Sequence, residues 1–249
     1  MNMRTMREFL KDDLRLTIDF SRSDQNRGVA PPPVQKPPRP GQEIVPLPAD
    51  PAGAFAGRVD LVRAMAERRS QRVWRDEPVG PDELGFMLWA VQGVRRKGGP
   101  ASVFRTVPSA GCRHALETYV VANRCQGLQR GLYRYLPLDH ALVREAAAGP
   151  DFTARLEEAA LMQSFVAKAP LVFVWTTIPY RMEWRYLEAA HRVIALDAGH
   201  ACQNLYLAVQ AAGCGTCAVA AFHQKALDEF LGVDGEDEFA LYLAPVGKV

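Results

Sequence analysis

No apolar run in the chain approaches the ~20 residues that a membrane-spanning helix needs, and charge of either sign nearly cancels, leaving +2 over 249 residues. The first absence argues against a protein that crosses a bilayer. The second argues against nucleic acid as a main partner, because binders of phosphate backbones concentrate positive charge. Cysteine is scarce: Cys112, Cys125, Cys202, Cys214 and Cys217 form an odd set, as expected of thiols kept reduced rather than of a disulfide framework. The opening stretch, Met1 to Asp13, mixes Arg, Glu, Lys and Asp and lacks the charged tip and apolar middle of a secretory signal. The expected location is therefore the cytoplasm. His191 and His200 have no neighbours at zinc-site spacing, so no metal is expected. No internal repeat is visible.

What the chain does contain is enough apolar material, 48% of its residues, to bury a sizeable core as one large domain or two small ones. Residues 1–52 read as an N-terminal segment and a proline-rich arm, and residues 53–249 as the main domain. Nine of the 18 prolines fall between Ala30 and Pro51. Proline fixes φ and removes a donor, so this stretch is extended and excluded from a central strand. Val34, Ile44, Val45 and Leu47 favour an arm laid over the surface rather than a free linker.

The most informative stretch is Arg68-Arg69-Ser70-Gln71-Arg72. Three guanidinium forks and a hydroxyl suit a phosphate group, although a solvated helix end would use the same residues. It ends a helix predicted over Arg58 to Arg69, with Val62, Met65 and Ala66 as its apolar face. Gly80-Pro81-Asp82-Glu83 starts a second helix that Gly93 ends. Arg95 to Gly99 reads as a polar loop. Pro108-Ser109-Ala110-Gly111 reads as a tight turn with exposed backbone donors. Strands are predicted at Thr118 to Ala122 and Leu132 to Leu136, as an antiparallel pair. Another is predicted at Leu171 to Trp175, covered on both faces, and a last one at Phe239 to Ala244. Phe152 to Ala160 and Gln224 to Leu231 read as helices. Trp184 to Ala212, free of proline, reads as one helix of ~43 Å at 1.5 Å per residue. Gly213 to Cys217 would form a glycine loop, with Cys214 and Cys217 as small apolar fillers; their Cys-x-x-Cys spacing leaves a thiol or zinc module as a distant competitor.

In this order, the basic helix end, the Pro-Ser-Ala-Gly turn, the long helix and the glycine loop leading to Ala-Val-Ala-Ala-Phe resemble the nitroreductase family of FMN-dependent oxidoreductases. Pro108 to Gly111 with Arg113-His114 and Leu116-Glu117 is similar to the branch that oxidises azoline rings in modified peptides. So are Asp197-Ala198-Gly199-His200, Gln203 to Leu207, and Pro245-Val246-Gly247. The resemblance runs from about Leu61 to Val249. It implies an α+β fold: a three-layer α/β/α sandwich with a mainly antiparallel central sheet and a long central helix, dimeric through that helix. It also implies that Arg68, Arg69, Ser70 and Arg72 hold the FMN phosphate and ribityl chain, with Lys248 as a further cation. Pro108, Ser109, Ala110 and Gly111 would lie along the flavin ring, and backbone N–H groups of Ala220 and Ala221 would face its N5. Both subunits would build each site, and NADH or NADPH would visit transiently as electron donor.

Relatives in that branch carry a Lys-Tyr pair where this chain has Arg185-Tyr186. Tyr186 matches and can donate or accept a proton, whereas a guanidinium stays protonated and cannot act as a base. Arg185 would instead clamp an anionic substrate or pair with Glu183 or Glu188. The leading expectation is an FMN-dependent oxidoreductase moving hydride to or from a small or peptidic substrate. An azoline dehydrogenase and a non-catalytic flavin-binding scaffold subunit are the alternatives.

Overall fold

The computed structural model describes residues 3–98 and 102–249. Met1 and Asn2, where the signal reading begins, and Gly99, where the predicted polar loop ends, lie outside them. In chain order the elements are α1 (Met3–Glu8), β1 (Ile44–Pro46), α2 (Leu61–Glu67), α3 (Pro81–Gln92), β2 (Val94–Lys97), β3 (Val103–Arg105), β4 (Leu116–Ala122), β5 (Gly131–Leu136), β6 (Ala141–Ala147), α4 (Phe152–Ala159), α5 (Ser164–Ala167), β7 (Leu171–Thr177), α6 (Tyr180–Tyr186), α7 (Ala190–Ala211), β8 (Cys214–Thr216), α8 (Gln224–Leu231) and β9 (Phe239–Lys248).

Seven strands form one sheet in the order β1-β6-β5-β4-β7-β9-β8, and every neighbouring pair is antiparallel. Strand β7 lies inside it, between β4 and β9, and is buried along its whole length, as its unbroken apolar run requires. One face packs Phe173, Trp175 and Tyr135 against α3 and α7, through Leu88, Val91, Leu205 and Val209. The other packs Tyr119, Val172 and Leu243 against α4 and α8, through Leu156, Leu227 and Phe230. Two helical layers thus sandwich the sheet, and α7 runs along the first of them.

Four expectations need correction. The long helical segment begins earlier than predicted, at Tyr180, and is not continuous. Leu187 adopts φ 48°, a left-handed conformation costly for a branched residue, and separates α6 from the 22-residue α7. Arg95 to Lys97 form strand β2 of a hairpin with β3, not a loop. Gly213 to Cys217 contains an edge strand, β8, paired with β9. The face predicted for α2 is also reversed: Ala64 is its buried residue, while Val62 is 77% and Met65 57% exposed.

The proline arm lies on the sheet. Its β1 pairs with β6 at the edge, where the missing proline donor costs nothing. Upstream of β1, Arg134 donates to the carbonyls of Lys36 (2.7 Å) and Pro37 (3.3 Å), and Arg105 to that of Val34. Beneath the arm, the buried Glu117 accepts from the Lys36 N–H (2.9 Å), Arg181 (2.6 Å) and Arg134 (3.4 Å). Burial alone would raise the Glu117 pKa, but Arg181, Arg134 and the Lys36 N–H outweigh it and hold it below the usual range. This carboxylate therefore stabilises the fold above the ordinary carboxylate pKa, and that contribution is lost as pH falls through the lower folded value. Glu117→Leu should leave the buried Arg181 guanidinium without a carboxylate, while Arg134 keeps Glu145 at 2.8 Å, and cost about 3–5 kcal/mol, read as a lowered midpoint in urea unfolding. A midpoint within error of wild type would show that the network is dispensable.

Candidate active site

The first part of the site is the basic quintet. Asp60 Oδ1 caps α2 by accepting from the Arg63 N–H at 2.8 Å, and the helix ends at Arg68, whose ψ of 125° turns the chain extended. The strand-like continuation lies against β8, with the Gln71 N–H donating to the Thr216 carbonyl at 2.9 Å. Gly215 permits this approach, since a Cβ there would stand 2.6 Å from Gln71 Cγ. Tyr206, on α7, ties the pieces together: its hydroxyl shares a 2.8 Å hydrogen bond with Ser70 and accepts from the Ala218 N–H at 2.9 Å.

Arg68 lies over the Tyr206 ring at 5.0 Å and Arg72 over Phe165 at 5.8 Å. Among the described residues none of Arg68, Arg69 and Arg72 pairs with a carboxylate, although Glu67 is next in sequence and bonds Arg63 instead. Arg68 and Arg69 line a cleft of about 540 Å³ with Glu67, Gln71, Gln210, Cys214 and Val249, whereas Arg72 lines a separate cleft with Trp74, Phe165 and Lys168. Lys248, expected as a further cation here, is tied to Glu83 and to the Ala212 carbonyl (3.3 Å). Ala220 and Ala221 are exposed, and neither N–H is used in a hydrogen bond among the described residues. Gln163 holds this stretch through the Ala221 carbonyl at 2.8 Å.

The second part is the Pro-Ser-Ala-Gly turn. Ser109 Oγ accepts from the His114 N–H at 2.9 Å, and Asp197, on α7, reaches the Ala110 N–H at 3.4 Å. Gly111, Cys112 and His114 all have positive φ, so the turn is tightly wound and strained at two non-glycine residues. Tyr186 and Arg185 lie on it: a Cβ on Gly111 would stand 2.6 Å from Tyr186 Oη and 2.9 Å from Arg185 Nε. Asp197 is 6% exposed, and its Oδ2 has no hydrogen-bond partner among the described residues. Burial raises its pKa, offset only in part by Ser109 and the Ala110 N–H.

Within one chain the two parts do not meet. Asp197 and Tyr206 are nine residues apart on α7, which is about 13 Å along the axis and about half a turn around it. The turn and the quintet therefore flank opposite faces of one helix. Sequence reasoning quoted Asp197 and Tyr206 only as parts of motifs. Their anchoring roles follow from their spacing, which puts one toward each flank.

The remaining candidates fall outside this chemistry. His191 bonds Glu183 at 2.8 Å. Cys214 and Cys217 are buried, and burial pushes the Cys214 thiol up to about 12, which disfavours a thiolate. Among the described residues no group of three His, Cys, Asp or Glu could hold a metal, and no helix is long and apolar enough to cross a membrane.

A model of the nitroreductase family matches residues 65–248. A nitroreductase-family protein of Methanocaldococcus jannaschii is 34% identical over 190 residues, covering 76% of this chain and 91% of its own. The trifolitoxin-processing protein TfxB of Rhizobium leguminosarum is 31% identical over 112 residues, 44% of this chain and 30% of that protein. Among solved structures, a nitroreductase-family protein of Ralstonia eutropha superposes with a TM-score of 0.69 at 26% identity, covering 88% of this chain and 94% of that one.

His114, behind the turn, gives a test of the local electrostatics. Its Nε2 donates to the Val103 carbonyl at 2.7 Å, and burial, followed by the charge of Arg105, lowers its pKa from 6.5 to about 3. Between those values the unfolded chain binds a proton that the folded chain does not, so stability should fall as pH drops from 6.5 towards 3. His114→Gln should flatten that part of the stability–pH curve measured by chemical denaturation; an unchanged slope would assign the acid lability elsewhere.

Proposed function

As the chain belongs to the nitroreductase family of FMN-dependent oxidoreductases, we propose that it works as a homodimer whose two flavin sites each join the quintet of one subunit to the turn of the other. The observation that carries this is the trio of guanidiniums without carboxylate partners, on the opposite flank of α7 from the turn. The donor set suits the group: the forks of Arg68 and Arg69 share one cleft and suit a phosphomonoester, with Ser70 and Arg72 beside them in the chain, and the unused N–H groups of Ala220 and Ala221 suit a ring nitrogen. The cleft fits its size. Further support comes from the apolar surface that a second copy would cover. Leu61, Val62, Met65 and Leu196 are each at least half exposed, next to an apolar cleft of about 430 Å³ between Phe55, Trp89, Leu207 and Ala211.

In this reading Arg68, Arg69, Ser70 and Arg72 bind and orient the phosphate end, while Pro108, Ser109, Ala110 and Gly111 of the other subunit give the ring a flat floor. FMN, when bound, supplies hydride transfer at N5. Tyr186, whose hydroxyl stands over Gly111, holds or moves a proton at Oη beside the reacting carbon or nitrogen. Lys248 neutralises Glu83 and so keeps a carboxylate from competing for the cations. NADH or NADPH would be the donor, and the substrate a small molecule or a peptide. The trifolitoxin-processing relative favours a peptide and thus azoline oxidation as the second reading, but Arg185 cannot be the base that a lysine would be there.

The purified protein should be yellow, with flavin reducible by NADH or NADPH. Arg69→Ala with Arg72→Ala should weaken FMN binding roughly 10- to 100-fold, the scale of losing one charge-assisted contact or two partly compensated ones. That doubly substituted chain and a Gly111→Ala chain should each bind poorly alone and recover flavin when co-expressed, because a mixed dimer holds one intact site. No recovery would place each site within a single subunit; a colourless, FMN-indifferent wild type would overturn the reading.

A further inference from the structure

Tyr186 is surrounded by positive charge that the proposed redox chemistry does not need. The Arg185 guanidinium lies 5.4 Å from the Tyr186 ring centre, and the Arg15 guanidinium, from the N-terminal segment, lies 5.9 Å from the same ring. Arg113 is next to them, over the Trp184 ring at 4.7 Å. Its pKa is lowered first by burial and then by the charge of Arg185.

Among the described residues none of the nearby acids pairs with Arg185. Glu183 bonds His191 at 2.8 Å. Glu188 is exposed and makes no ion pair among the described residues. Asp12 is shared between Arg15 (2.8 Å) and Arg192 (3.3 Å). Arg185, only partly exposed, has no carboxylate partner among the described residues. A guanidinium keeps its charge at any ordinary pH, and one withdrawn from water without a partner is a cost that an incoming anion removes. Its planar fork matches a carboxylate with two parallel hydrogen bonds.

We propose that Arg185, supported by Arg15 against the same tyrosine ring, clamps a carboxylate of the substrate, so that this site selects acidic molecules and presents their reacting group to Tyr186. This rests on the reading of the turn as one half of a flavin site.

The test compares 4-nitrobenzoate with 4-nitrobenzamide, which differ in charge at the end remote from the nitro group. In wild-type holoenzyme reduced by NADH, the ratio of kcat/KM for the two should favour the benzoate and fall as salt rises. Arg185→Gln should lower that ratio roughly 10- to 100-fold, whatever it does to turnover as a whole. Arg15→Gln should move it in the same direction by less. An unchanged ratio in Arg185→Gln overturns the clamp, as does a rise confined to the KM for NADPH, which would assign the charge to the donor's phosphate. Should Arg185→Gln not fold, the salt dependence and Arg15→Gln decide on the same criterion. Flavin content is measured on every sample, so a colourless wild type defeats the flavin reading and not the clamp. In that event, calorimetric titration with 4-nitrobenzoate decides the clamp separately: binding weakened by Arg15→Gln supports it, and no binding overturns it.

Discussion

A carboxylate taken entirely out of water must be neutralised where it lies, and the placement of Glu117 imposes that constraint on three separate parts of the molecule. It stands at the start of β4, directly after the turn. Arg181 meets it from α6, Arg134 from β5, and the Lys36 N–H from the proline arm. Each of these partners satisfies part of one buried carboxylate, so the arm, the sheet and α6 hold one another in place. The effect reaches the site because Arg181 and the pair Arg185-Tyr186 belong to the same short helix. What anchors α6 at one end fixes the height of the tyrosine hydroxyl over Gly111 at the other.

The sheet and its covering helices were legible in the sequence because each strand carried its own signal. Leu171 to Trp175 has no polar residue to expose, and it became a fully buried inner strand; Phe152, Leu156 and Ala159 fall on one side of a helix, and they are the residues that α4 buries. The misreadings share a cause, which is that local pattern is silent about what lies opposite. Arg95 to Lys97 look like a loop by composition, yet they pair with β3 through backbone groups that side-chain polarity does not report. Nothing in the residues around Leu187 marks a break; the left-handed kink there is set by how α6 and α7 each dock. In α2 the apolar stripe was real, but it points away from its own core.

For the site, chemistry was more legible than geometry. The basic quintet and the Pro-Ser-Ala-Gly turn could be picked out as strings by residue type, although each string has ordinary uses, and it was their order along the chain that singled them out. Their relation in space could not. It depends on Asp197 and Tyr206 lying half a turn apart on α7, and so on two hydrogen bonds, to the Ala110 N–H and to Ser70, whose partners are distant in sequence. Lys248 shows the converse. By residue type it suited a phosphate, but Glu83, needed at the start of α3 to accept from the Gly80 N–H at 2.8 Å, also takes its charge.

The same reversal of α2 bears on the proposal that each site is shared between two chains. If the stripe of Leu61, Val62 and Met65 had packed inward, α2 would have closed over its own sheet and delivered the quintet into the chain's own core. Facing outward, it leaves apolar surface next to α7 that water covers only at a cost, and it carries the arginines to that same boundary. In the proposed dimer, burying the stripe and filling the guanidiniums' unused hydrogen-bonding capacity would be one event rather than two. A second α7 brought against the first would cover the leucines, and its own turn would arrive on the flank where the first chain's quintet waits. On this view, the separation of Asp197 from Tyr206 along a helix too rigid to bend between them is what makes pairing of two chains a requirement of the chemistry rather than an addition to it.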